Sequence, residues 1–128
     1  TKNDGGKMTD QEALGLFVKK HRWKWQIYDW YYWKTLNIIG LQVIEYAYQI
    51  STLDKVDAAV YAGDWIEGRL QKMLGDKFGE LLSGGKGLFL CTYTLDGGKS
   101  YKEPEWKPTP IQAYLAALEA ILPEVKHD

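Results

Sequence analysis

The sequence contains one cysteine, Cys91, and two histidines, His21 and His127. A single thiol cannot close an internal disulfide, and these three residues cannot complete a structural zinc site, so no metal and no covalent staple is expected. A lone thiol fits a reducing compartment, and Thr1–Asp10 carries no apolar stretch of the kind that signals secretion, so a cytoplasmic protein is expected. The longest relevant charge-free run lies between Lys34 and Glu45, about half of the ~20 residues needed for a helix to cross a bilayer. A membrane span is thereby excluded, whereas attachment to a membrane surface is not. A marked excess of charge of either sign is missing too, since 16 basic side chains face 17 acidic ones, so any basic patch has to be local.

Catalytic signatures are equally scarce. Ser83-Gly84-Gly85-Lys86-Gly87 and Gly97-Gly98-Lys99-Ser100 lack the glycine five residues before the Gly-Lys pair that a phosphate cradle uses, and they read as turns. Asp57, Asp64 and Glu67 gather carboxylates without the Glu-x-x-His pair of di-iron bundles. The two histidines stand at the chain's far positions, His21 among basic residues and expected in solvent, so no nucleophile with an evident base can be assembled. Cys91 lies in a strand alternating towards the core and reads as a small buried hydrophobe. No cofactor is expected.

The excess is aromatic: six tryptophans and nine tyrosines in 128 residues. Around them the pattern reads as one mainly α domain over residues 9–128, preceded by a flexible leader over residues 1–8. Thr9 and Glu12 have capping-box spacing, with Leu14, Phe17 and Val18 as the first apolar face. The charged stretch Lys19-Lys20-His21-Arg22 marks a junction. From about Gln26 to Ile50 no proline intervenes, and Tyr32, Leu36, Ile39, Val43, Tyr46 and Ile50 recur at spacings of three and four. This predicts a long central helix over about 26–50, with Gly40 allowing close helix approach. A helix over 53–74 follows, capped by Ser51 or Thr52 with Asp54 in its first turn, its stripe Val56, Val60, Gly63, Ile66, Leu70 and Leu74. Phe78, Leu81 and Leu82 read as a further helical turn or two. Phe89, Cys91, Tyr93 and Leu95 alternate as a strand, and Asp96-Gly97-Gly98 turns it into a hairpin over about 88–103 whose return is cut short by prolines. Thr109, Pro110 and Gln112 open the last helix, and Pro123 stops it. The expected total is four to five helices around the central one, with one small β-hairpin at the edge.

Seven aromatics occupy the eleven positions from Trp23 to Trp33. A helix of a small domain does not easily bury all of them, and tryptophan and tyrosine dominate binding hot spots. Trp23, Trp25, Trp30, Tyr31 and Trp33 are therefore the candidate binding residues, with Tyr61 and Trp65 one helical turn apart as a second patch. The expected function is a non-catalytic accessory subunit or inhibitor that docks this surface on a larger protein, with self-association left open. One alternative is a small enzyme or carrier with an aromatic-lined pocket for an apolar ligand, in which a desolvated Asp29 acts as acid or base. Another is a single-stranded nucleic-acid or membrane-surface binder using the basic patch Lys19, Lys20, Arg22 and Lys24 between the rings.

Overall fold

The computed structural model describes residues 7–34, 40–53 and 57–123. Residues 1–6 of the expected leader, Leu36 and Ile39 of the expected central helix, Asp54, Val56 and His127 lie outside the described residues. The described residues form four α-helices and two small sheets. Helix α1 is Asp10–Lys20, α2 Tyr48–Leu53, α3 Ile66–Leu74 and α4 Pro110–Ile121; the strands are β1 Trp30–Trp33, β2 Gln42–Val43, β3 Ala58–Val60, β4 Phe78–Ser83 and β5 Phe89–Tyr93.

The mainly α expectation is overturned over residues 26–50. In place of a central helix, this segment supplies β1 and β2, and β3 completes an antiparallel sheet in the order β2-β1-β3. The segment is so rich in apolar residues that a spacing of three and four is met by abundance alone, whereas Trp30-Tyr31-Tyr32-Trp33 consists of side chains that favour a pleated, half-buried surface. Gly40 has φ +149°, a backbone value that ends a helix. Tyr28 has φ +75° at the third position of a turn in which Asp29 N–H bonds to the Gln26 carbonyl.

Two further elements are corrected. The helix expected over 53–74 is confined to Ile66–Leu74, because residues 58–60 pair with β1 and Gly63 lies in the loop before α3. The helical turns expected at Phe78–Leu82 are strand β4, paired with β5. Its register shifts between Phe78 and Leu81, and that extra residue places two apolar side chains three apart, the spacing that imitates a helix. The strand expected at Leu88–Leu95 is present as β5. Its return is reduced to isolated bridges from Tyr93 to Lys102 and from Phe89 to Lys107, on either side of Pro104.

Helix ends follow the sequence closely. Thr9 and Glu12 form the reciprocal capping box. At α4, Thr109 Oγ1 accepts from Gln112 N–H, while the Gln112 amide reaches Met8 O at 3.0 Å, tying the α4 start to that of α1. Helix α4 packs on α1, α3 and β5, and the main core collects Leu14, Phe17, Ile66, Leu70, Leu74, Cys91 and Leu118 between them. Tyr31, Ile44 and Leu53 make a smaller core on one face of the three-stranded sheet.

Strand β3 would leave an open sheet edge, but Gln11 of α1 closes it. Its Nε2 donates to Val60 O and its Oε1 accepts from Ala62 N–H, both at 2.8 Å, so one side chain imitates a residue of a neighbouring strand. Gln11→Ala strands both backbone groups at a half-buried edge and is expected to lower unfolding free energy by about 1–3 kcal/mol, read as a fall in the urea midpoint. In the turn after β5, hydrogen bonds from the Ser100 hydroxyl, the Ser100 N–H and the Thr94 hydroxyl hold the Asp96 carboxyl down at about 2, from an ordinary value of 3.8. This turn is therefore stabilised above pH 3.8 and loses that support as pH falls towards 2. Carboxyl NMR should show Asp96 titrating near 2, and Ser100→Ala should move the midpoint up.

Candidate functional site

Asp29 is 1 % exposed, and both of its carboxylate oxygens accept hydrogen bonds. Arg69 Nε donates to Oδ1 at 2.8 Å, and Arg69 Nη2 (3.3 Å), Trp23 Nε1 (3.2 Å) and the Gln26 N–H (2.9 Å) converge on Oδ2. Arg69 also donates to Lys24 O at 2.6 Å, and its guanidinium lies over the Trp23 ring, 4.5 Å from the centroid. Three donors crowd Oδ2 and one reaches Oδ1, so Asp29 anchors α3, Trp23 and the turn at Gln26 to one another.

The aromatic segment divides between core and surface. Trp23, Trp25, Tyr31 and Trp33 form a run of edge-to-face pairs with centroids 6.4, 5.9 and 5.4 Å apart. Trp23 and Tyr31 are buried, and Trp25 packs on both cores, so this run joins them. Trp25 and Trp33 are half-buried, so the run passes from the interior towards the surface. Trp30 points to the opposite face of β1 from Tyr31 and is 36 % exposed.

On that opposite face Trp30 meets the second expected patch. Trp30, Leu41, Tyr61 and Trp65, with Ile111 behind them, line an open groove of about 580 Å³. Trp65 stands at the start of α3, held by a 2.9 Å bond from its indole N–H to Tyr61 O. The Tyr61 ring lies against Gly63 and leaves no room there for a Cβ, so this glycine serves close approach within the groove wall and not between helices. Asp10, Asp64 and Glu67 also line it, and among the described residues no basic side chain does. The structure thus brings together three of the seven candidate binding residues, Trp30, Tyr61 and Trp65, from two distant stretches of chain.

The residues of the expected basic patch are spread over the end of α1 and the segment after it. Lys19 lines a cleft of about 510 Å³ between α1 and the sheet, beside Tyr32 and Lys34, whereas Lys20 faces away and pairs with Glu119 at 3.8 Å. Arg22 and Lys24 are exposed on the following extended segment. His21, expected in solvent, is instead 3 % exposed: its Nδ1 donates to Pro123 O at 2.9 Å and its ring packs on Phe17. Cys91 is buried, and burial pushes its thiol up to about 11, which suppresses the nucleophilic thiolate. Among the described residues no group of three His, Cys, Asp or Glu side chains could hold a metal ion, and no helix is long and apolar enough to cross a membrane.

Sequence reading missed Leu41 and Ile111 in the groove and Arg69 beside Asp29. The last was findable: a carboxylate buried among rings demands a forked cation, and the chain offers only Arg22 and Arg69. Comparison with protein-family models, curated proteins and solved structures finds no significant match for this chain.

Arg69→Met leaves a buried carboxylate without its cation and is expected to cost about 3–5 kcal/mol, seen as a lower denaturation midpoint. Adding Asp29→Leu to that variant should restore part of the loss, and a double-mutant cycle measures the coupling.

Proposed function

We propose that this chain is a non-catalytic interaction module, an accessory subunit or inhibitor, that docks on a larger protein through the groove of Trp30, Leu41, Tyr61 and Trp65. One observation carries the reading: two indoles and a phenol from separate parts of the chain converge with exposed leucine on one open concavity. Trp30 and Leu41 are 36 % and 45 % exposed, so apolar area remains available to a partner. Chemistry at Asp29 is disfavoured by its burial and its ion pair with Arg69, and binding along a phosphate backbone is disfavoured by the pairing of Lys20 with Glu119. The lone buried thiol is compatible with a cytoplasmic setting.

Trp30→Ala combined with Leu41→Ser tests the reading. The variant is expected to keep a cooperative unfolding transition while its affinity for a partner isolated by native pull-down falls by about tenfold or more in calorimetry. Trp23→Ala, by contrast, removes a buried ring and an Asp29 donor and should unfold the chain at a lower temperature. Undiminished partner binding by the Trp30/Leu41 variant would refute docking at this groove.

A further inference from the structure

The fold contains one complete assembly of guanidinium, indole and carboxylate, in which Arg69 lies over Trp23 and is forked by Asp29. The groove repeats two of the three parts. It presents the indoles of Trp30 and Trp65 beside the carboxylates of Asp64 and Glu67, and among the described residues no basic side chain lines it. Asp10, the remaining acid of the wall, already accepts from Thr109 Oγ1 at 2.6 Å and from Gln112 Nε2 at 3.3 Å, so Asp64 and Glu67 are the acids that an incoming donor would meet. Neither of these two forms a salt bridge among the described residues.

We infer that the groove receives an arginine side chain from an arginine-bearing, otherwise apolar segment of the partner protein. The inference rests on the docking reading above and names the chemistry that docks. A planar guanidinium stacks on an indole face and at the same time forks to a carboxylate, which a lysine ammonium does less well. Leu41 and Ile111 supply apolar wall for the side chains flanking that arginine. Desolvation costs stay moderate because the groove is open and Asp64 is solvent-exposed. The Trp65 ring is already fixed through its indole N–H, so less side-chain freedom is lost when the guanidinium arrives.

The probe is an acetylated, amidated pentapeptide with arginine at its centre and leucine on both sides, compared with the same peptide carrying citrulline, the neutral isostere. Titration into ¹⁵N-labelled protein should move the indole N–H resonances of Trp30 and Trp65 saturably, with the citrulline peptide weaker on the order of tenfold. Asp64→Asn with Glu67→Gln should lose affinity for the arginine peptide to a similar extent and flatten its salt dependence, while the far-ultraviolet circular dichroism stays unchanged. Equal binding of the two peptides, or an arginine peptide that leaves both indole resonances in place at millimolar concentration, overturns the arginine inference. The docking reading is judged separately, by whether the Trp30/Leu41 variant keeps its protein partner.

Discussion

The buried pair of Asp29 and Arg69 sets the geometry on which the remaining structure depends. Two charges withdrawn from water are tolerated only when their hydrogen-bonding capacity is met, and here the carboxylate is met from three directions: α3, the Trp23 indole and the turn at Gln26. That requirement fixes the turn, and the turn delivers the chain into β1. Trp30 follows Asp29 directly, and Trp65 precedes Arg69 by one helical turn. The ion pair therefore ties together the two stretches of chain that carry the groove's indoles. A pair with little net contribution to stability can still specify which surfaces meet.

The same constraint explains which parts of the fold were legible. Helices α1 and α4 were readable because their signals are local: a capping box at Thr9 and Glu12, a threonine cap with a first-turn proline at Thr109-Pro110, and a stop at Pro123. Strand β5 was readable from its alternation. The segment over 26–50 was not, because its ends are decided by partners far away in sequence, Arg69 for the Asp29 turn and residues 58–60 for β1. A window that is apolar at most positions satisfies helical and strand periodicity alike, and the arbitration came from β propensity and from a glycine with a positive φ. In β4 the bulge made a strand resemble a helix for a definite geometric reason.

Site residues follow a similar division. Of the rings at Trp23–Trp33, Tyr28 is 75 % exposed and Trp30 36 %, whereas Trp23 and Tyr31 are buried. Which rings would be hidden depended on strand alternation, and a helical wheel sorts them differently from a pleat. On the pleat Tyr31 and Trp33 go inward together and Trp30 outward, and the inward pair continues through Trp25 to Trp23. Tyr61 and Trp65 were grouped by their one-turn spacing. They do lie together, although Tyr61 precedes the helix and the contact is a bond from an indole to a backbone carbonyl.

Rigidity separates the groove from the other exposed aromatic surface. Tyr28, Tyr46 and Tyr48 are also open to solvent, and the last two stack with centroids 5.6 Å apart, but Tyr28 holds a positive φ at a turn that a glycine would occupy without strain. Its ring projects from that turn with few neighbours to fix it. In the groove, by contrast, Trp30 is on the central strand of a sheet whose outer edge is closed by Gln11, Trp65 is bonded at its indole, and Tyr61 is seated on Gly63. Association costs side-chain freedom wherever rings have to be ordered on contact, and walls already ordered lose less. Of the two surfaces, the groove is therefore the one at which we propose docking, and its acidic wall is why the proposed occupant is cationic.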